Sequence, residues 1–369
     1  MAMSLNVSQV SVAAELEFAK LGIGCMTFGQ QTAKPEAFDI LELAVDQSNP
    51  LLIDTAEMYP TYPSENTYGD SERIIGQFIK SRKCRDQVVI STKIASKNPT
   101  GIGATGLKWI RADGEGLALS ESNIFRAVYA SLKRLNLDYI DLIQIHWPER
   151  RVPMGGDLDF QHFESESWTA IEEIVEIFTK LRKKGLVRYF CVSNESPWGL
   201  CKYLSASKDK LEISYTQNGY NLLDRTFDQA MCEISIRENC PLLAYSPLAG
   251  GRLLGKYLDG VRPSDARYTR WPGPEGKYHN KAVDTAVAEY LKLSQRFNIS
   301  MLHLALGFVL SRPYCAAAIF GPRTVGQLSS VLKVSEAPLD TEILKEIDTI
   351  HRALPNPAVV GALKEKNNG

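Results

Sequence analysis

"LLIDTAEMYP", residues 51–60, begins as a strand and ends as something else. Leu51, Leu52 and Ile53 form an uninterrupted apolar run, the pattern of a strand covered on both faces. Asp54, Glu57 and Tyr59 follow at once. A core strand that leaves through two carboxylates and a phenol belongs to a fold that keeps its chemistry at strand ends.

Runs of the same kind recur along the chain: FAKLGIGCM (18–26), QVVISTKI (87–94), YIDLIQIHW (139–147), VRYFCVSN (187–194), EISYTQN (212–218), PLLAYSPL (241–248) and AAAIFGP (316–322). Helical stripes separate them. Phe38, Leu41 and Val45 share a face after Pro35, a first-turn proline. Ile124, Val128, Leu132 and Leu135 keep helical spacing behind a Ser120 cap. Ile171, Ile174, Val175, Phe178 and Leu181 form a third stripe, ending where Lys183 and Lys184 suit the helix dipole and Gly185 suits a left-handed cap. Further helices are expected over 196–208, 225–239, 283–298 and 302–311. An eightfold strand-then-helix alternation predicts an α/β fold, a single-domain (β/α)8 TIM barrel. It would occupy residues 18–350, with an N-terminal extension (1–17), a C-terminal tail (351–369), and long loops near 96–119, 148–167 and 260–280 at the C-terminal face. The rival, a doubly wound sheet, needs GxGxxG after its first strand. Gly22, Gly24 and Gly29 are spaced two residues too widely for that.

Composition narrows the function. The 369 residues are 44% hydrophobic and 23% charged, as in a soluble globular protein. Forty-two Lys and Arg against 43 Asp and Glu leave a net charge of -1, which gives no electrostatic case for nucleic acid or a membrane surface. The apolar stretch 301–321 is interrupted by His303, Ser311, Arg312 and Pro313 and does not suit a membrane span. The N-terminus lacks a signal-peptide pattern. The seven cysteines, without a CxxC pair, read as reduced thiols in a cytoplasmic setting, and the five histidines do not cluster as metal ligands.

In a barrel of this type the reacting groups sit at the C-terminal ends of strands. Asp54 and Tyr59 lie at one such end, Lys93 at the next, His146 at the third, Ser193 and Asn194 at the fourth and Gln217 at the fifth. Singly, each has an ordinary explanation: a structural Asp, a solvated Lys, a core His. Together they make a proton donor. A phenol has a pKa near 10. A neighbouring ammonium is expected to lower it, Asp54 to hold Lys93 as a buried ion pair, and His146 to orient a carbonyl oxygen that takes its proton from Tyr59. Glu57 and Glu72 are expected in solvated or capping roles. Met26, Met58 and Trp147 are candidates for the pocket wall.

The segments LGIGCMTFG, IDTAEMYP, YGDSERIIG, STKI, SLKRLNLDYIDLIQIHWP, VRYFCVSN, YSPLAGGRLLGKY and FGPRTVGQL, taken in this order, resemble the signatures of the aldo-keto reductases, in particular the bacterial Tas-type branch, over about residues 18–350. The resemblance implies a (β/α)8 barrel that uses NADPH, or less often NADH, to reduce a small aldehyde or ketone. It implies Tyr59 as proton donor in a tetrad with Asp54, Lys93 and His146. It further implies Ser193, Asn194 and Gln217 at the nicotinamide carboxamide and Tyr245 against the ring. Ser246, Pro247, Leu248 and Gly250 would lie at the pyrophosphate, Lys256 and Arg267 at phosphate, and Gly321, Arg323 and Gln327 at the adenosine end. One position departs: Val331 stands where the family usually has an adenine-contacting Asn, which is expected to loosen the cofactor. An alternative function, also from the resemblance, is a nucleotide-binding redox sensor like the potassium-channel β subunits.

Overall fold

The computed structural model describes residues 9–13, 16–97, 107, 109–111, 116–153, 160, 167–271, 276–335 and 337–359. Eight strands close into one parallel barrel: β3 (Leu21–Gly24), β4 (Leu51–Asp54), β5 (Val88–Ile94), β6 (Ile140–Ile145), β7 (Val187–Ser193), β8 (Ile213–Gly219), β9 (Leu242–Tyr245) and β10 (Cys315–Phe320). Each pairs with its neighbour in sequence, and β10 closes the ring on β3. The (β/α)8 barrel expected from the alternation is the fold observed.

Helices cover the outside in the expected places. They are α1 (Lys34–Gln47), α2 (Asp70–Arg82), α3 (Glu121–Leu135), α4 (Ile171–Lys183), α5 (Pro197–Ser207), α6 (Met231–Arg237), the short α7 (Arg267–Arg270), α8 (Lys281–Arg296), α9 (Met301–Leu310), α10 (Val325–Ser335) and α11 (Thr341–Ala353). The end signals act as read: the Ser120 hydroxyl accepts the Asn123 N–H, and Gly185 takes φ 71° after α4. The apolar stripes of α3 and α4 are buried against the strands.

Three expectations need correction. The first apolar run is two strands, not one. Residues 16–19 (β2) pair antiparallel with 9–13 (β1), and the chain bends at Lys20 before β3 enters the barrel. Leu16 and Phe18 join Leu52, Val89, Leu142, Tyr189 and Leu243 in a separate apolar cluster, so the hairpin plugs the N-terminal mouth of the barrel. The span 225–239 is a 3-10 turn (Thr226–Gln229) followed by α6. The side chains of Asn221 and Asp224 accept the backbone N–H groups of Leu223 and Thr226, a local alternative to helical bonding. Finally, α11 runs past residue 351, and Ala358 and Val359 are buried, with the Ala358 N–H donating to Leu223 O. The remainder of the expected extension and tail, and parts of the loops near 96–119, 148–167 and 260–280, lie outside the described residues.

Packing between α2 and α3 is close enough to set a residue type. A Cβ on Gly76 would lie 2.2 Å from the Leu135 carbonyl oxygen. Gly76→Ala should therefore destabilise the protein by about 1–3 kcal/mol as an overpacked contact, despite alanine's better helix propensity. A denaturant midpoint shifted downward with unchanged slope is the expected observation; an unchanged or raised midpoint would contradict it.

Candidate active site

Below the C-terminal rim the barrel interior turns from apolar to polar. Asp54, the last residue of β4, is buried and accepts from four side chains. Lys93 Nζ donates to Oδ2 at 2.5 Å, while Ser91 Oγ and Gln217 Nε2 donate to Oδ1 at 2.9 Å and Gln144 Nε2 at 3.3 Å. Lys93, 1% exposed, also donates to Thr55 O at 2.8 Å. The expected ion pair is present. Burial pulls the Lys93 ammonium below its usual range, and Asp54 opposes that by favouring the charge.

Tyr59 and His146 stand over this pair. Lys93 Nζ lies 5.3 Å from the Tyr59 ring centre, and the Tyr59 and His146 rings meet edge to face at 5.6 Å. The structure thus brings all four tetrad candidates together. Their electrostatics differ from the expectation on one point. Burial, then Asp54, pushes the Tyr59 phenol well above its usual range. The expected lowering by the Lys93 ammonium does not prevail, since that charge faces the Asp54 carboxylate, which itself repels a phenolate. His146 is driven the other way. Burial first, then Lys93, holds it well below the usual imidazole range, and its Nδ1 has no partner among the described residues.

The next three strand ends lock one another. Ser193 Oγ donates to Gln217 O at 3.0 Å; Asn194 Nδ2 donates to His146 O at 2.9 Å and to Ser193 Oγ; the Tyr245 hydroxyl donates to Asn194 Oδ1 at 2.8 Å. Gly219 leaves room for this: a Cβ there would touch the Tyr245 ring at 3.2 Å. The Gln217 side-chain N–H is committed to Asp54, and its Oε1 accepts no hydrogen bond among the described residues.

After β9 the chain takes positive φ at Ser246, Ala249, Gly250 and Gly251, a tight turn in which the Ala249 and Gly251 N–H groups donate to Ser246 O and Leu248 O. Within it Pro247 and Leu248 are buried, so those side chains serve packing. A Cβ on Gly250 would lie 2.2 Å from the Tyr268 hydroxyl. Beyond it is a group of cations. Burial, then the Arg270 guanidinium, pushes Arg323 below the usual range, and burial, then Arg323, does the same to Lys256. Arg267 also acts on Arg323, and its own Nε is buried without a partner. Arg323 lies over Trp271 at 4.8 Å and donates to Asp265 O at 2.7 Å. None of Lys256, Arg267, Arg270 and Arg323 has a carboxylate partner among the described residues. The Asp265 carboxylate offsets Arg323 and Lys256 in part, but four cations beside one nearby carboxylate leave an excess of positive charge that fits a polyphosphate.

Two residues expected at the adenosine end have partners within the protein. Gln327 Oε1 accepts the Arg323 N–H at 2.9 Å, capping the start of α10. Val331 is 1% exposed within the main core, on the face of α10 that carries Leu328 and Leu332. The departure from Asn is here a packing change, not a missing contact on the open face. Gly321 is exposed, and a Cβ there would lie 3.1 Å from Gly24 O.

Several residues escaped sequence reading. Ser91 and Gln144 precede Lys93 and His146 by two positions, so strand periodicity aims them at the same interior; polar residues inside apolar runs were the available signal. Glu57 and Glu72 are not solvated. Glu57 binds Arg111 at 3.0 Å and Glu72 binds Arg134 at 2.5 Å, all four buried or nearly so. Glu149 accepts the Thr169 N–H at 2.7 Å, and Glu195 binds Arg150 at 2.5 Å. These pairings join segments distant in sequence, and no local pattern announces them.

The aldo/keto reductase family profile matches residues 20–352. The chain is 35% identical to the protein Tas of Escherichia coli, over 94% of this chain and 97% of the relative. It is 34% identical to an aldo-keto reductase of Babesia bovis, over 72% and 96%. It is also 27% identical to a probable voltage-gated potassium channel β subunit of Arabidopsis thaliana, over 92% and 95%. The solved glycerol dehydrogenase of Gluconobacter oxydans superposes with a TM-score of 0.69 at 24% identity, covering 95% of this chain and 97% of that one, a likeness of fold. This chain belongs to the aldo/keto reductase family, a class of oxidoreductases that use nicotinamide cofactors. Among the described residues, no helix is long and apolar enough to cross a membrane.

The His146 environment has a pH consequence. Its folded pKa lies below the unfolded value of about 6.5. Below that pH the unfolded chain binds the extra proton, so this contribution to stability is full above about pH 7 and is lost as pH falls. His146→Gln should flatten the acid limb of stability against pH by up to about 1.4 kcal/mol per pH unit. Equal slopes in denaturant titrations of the two proteins between pH 5 and 7 would contradict a neutral, buried His146.

Proposed function

We propose that the protein is an NADPH-dependent carbonyl reductase acting on a small aldehyde or ketone, with Tyr59 as the proton donor. The observation that carries this is the buried Asp54–Lys93 pair beneath the Tyr59 ring, with a neutral imidazole at its edge. Bound NADPH would supply the hydride. His146 donates a hydrogen bond that orients the carbonyl oxygen, and its depressed basicity keeps it a neutral donor. As that oxygen gains negative charge it takes the Tyr59 Oη proton. An alkoxide is more basic than a phenolate, so a phenol held above its usual range still yields its proton to it. Lys93 then faces the phenolate, and Asp54, fixed by Ser91, Gln144 and Gln217, keeps the ammonium in place. Asn194 and Tyr245, with the Gln217 carbonyl oxygen, would hold the carboxamide end. The turn after β9 and the Lys256, Arg267, Arg270 and Arg323 cluster would hold the phosphates.

Tyr59→Phe should lower carbonyl reduction by about 10²–10⁴-fold while nucleotide affinity stays near wild type. The test is NADPH oxidation against a panel of aldehydes and ketones, with binding followed by fluorescence. Near-normal turnover in the variant would remove Tyr59 from its role. Multiple turnovers by the wild type also separate this reading from the nucleotide sensor suggested by the channel-subunit relatives. One slow oxidation with the product nucleotide retained would favour the sensor.

Arg323→Ala should weaken NADPH by about 1.5–3 kcal/mol, the range for a hydrogen bond to a charged group, and leave NADH almost unchanged, because only NADPH carries the 2′-phosphate. Equal losses for both nucleotides, measured by titration, would assign Arg323 to structure alone.

A further inference from the structure

Tyr59 has a weakness as a positioned group: no hydrogen bond to its hydroxyl is formed within the described residues. Its ring is held by packing against His146, Lys93 and the cluster of Met58, Leu107, Ile110 and Trp147. Its location therefore depends on how firmly the exit of β4 is fixed to the exit of β5. Beyond the bonds of Lys93 to Asp54 and Thr55 O, Glu57 and Arg111 join these two exits on the side nearer Tyr59.

The two residues form a closed clasp. Glu57 N–H donates to Lys93 O at 3.1 Å, and Glu57 Oε1 accepts the Ala95 N–H at 2.7 Å. Arg111 comes from the loop before α3. Its Nη1 donates to Glu57 Oε1 at 3.0 Å, its Nη2 to Ala95 O at 2.5 Å and its Nε to Gly116 O at 3.2 Å. One guanidinium fork thus ties the β4 exit, the β5 exit and its own loop together. Glu57 is 2% exposed and Arg111 7% exposed, so water competes weakly for these bonds. Arg111 also adopts φ 56°, a left-handed conformation that arginine rarely takes, held by this set of bonds.

We propose that Glu57 and Arg111 act as one positioning unit that holds the Tyr59 phenol over Lys93 and couples Arg111 and its partner Gly116 to the proton donor. The inference rests on the reductase reading for its kinetic test. Neither residue touches the substrate; each acts through the backbone on either side of Tyr59 and Lys93. The fork geometry matters beyond its charge, since a lysine at 111 could reach Glu57 but not bridge Ala95 O and Gly116 O together.

The test uses the full-length protein with Glu57→Gln, Arg111→Lys and the double variant, assayed well below each variant's melting temperature. For the smallest aldehyde reduced by the wild type, each single variant should lose about 10- to 100-fold in kcat, the cost of a small misplacement, with KM and NADPH affinity little changed. The double variant should lose no more than the worse single one, because the pair works as a unit. Independent losses that multiply, a kcat that does not fall, a rise in KM confined to bulky substrates, or a parallel loss of NADPH affinity would each overturn the proposal. A second readout needs no turnover. In protein labelled with 3-fluorotyrosine, the residue 59 resonance, assigned by its loss in Tyr59→Phe, should shift or broaden in both single variants. An unmoved resonance overturns the clasp even if the wild type reduces nothing on the panel. Wild-type inactivity with a moved resonance would instead overturn only the reductase reading. If Glu57→Gln does not fold, Arg111→Lys carries both measurements.

Discussion

A lysine and an aspartate buried side by side inside a barrel are the constraint around which this structure is arranged. Removing two charges from water costs several kcal/mol per ion unless geometry and further hydrogen bonds compensate. The compensation is visible. Ser91, Gln144 and Gln217 converge on Asp54, and Thr55 O accepts from Lys93. These donors come from β5, β6 and β8, so a closed ring of strands is what brings them to one carboxylate. The apolar layer beneath, sealed by the β1–β2 hairpin, keeps the pair dry from the other end.

That dryness sets the character of the groups above. The same burial raises the Tyr59 phenol and depresses the His146 imidazole, leaving both neutral over a charged pair. Two neutral donors side by side, with an ammonium held below, suit charge that would appear during a reaction and not before it. Across the mouth the logic is reversed. Four cations stand without carboxylate partners among the described residues, so the free protein carries a repulsion that an anionic ligand relieves. Neutral groups gather at the Tyr59–His146 side of the mouth, and like charges gather at the other.

Between these regions the rim is tied by buried carboxylates after β4, β6 and β7. Glu57, Glu149 and Glu195 each join a strand end to a loop well separated in sequence. Such pairs are weak contributors to net stability, yet breaking one strands a buried charge and commonly costs 3–5 kcal/mol. They favour one arrangement of the rim over others that apolar packing alone would permit.

Much of this was legible in the chain. Eight apolar runs alternating with helical stripes specify the barrel, because strands buried on both faces and amphipathic helices leave few other ways to bury their surfaces. Polar residues at the run ends mark the face that carries the chemistry, and the sequence of motifs marks the family. What sequence could not show depends on distance in space. Whether Lys93 lowers the Tyr59 pKa turned on where Asp54 and bulk water lie, and burial prevailed. Val331 looked like a lost adenine contact, and only its place on the inner face of α10 shows it to be core. Glu57 looked solvated until Arg111, 54 residues away, was seen to cover it. Local pattern determines which elements form and which residues sit at their ends; partners, solvent exclusion and hence protonation are decided only when the ring closes, because they arise from atoms contributed by distant segments.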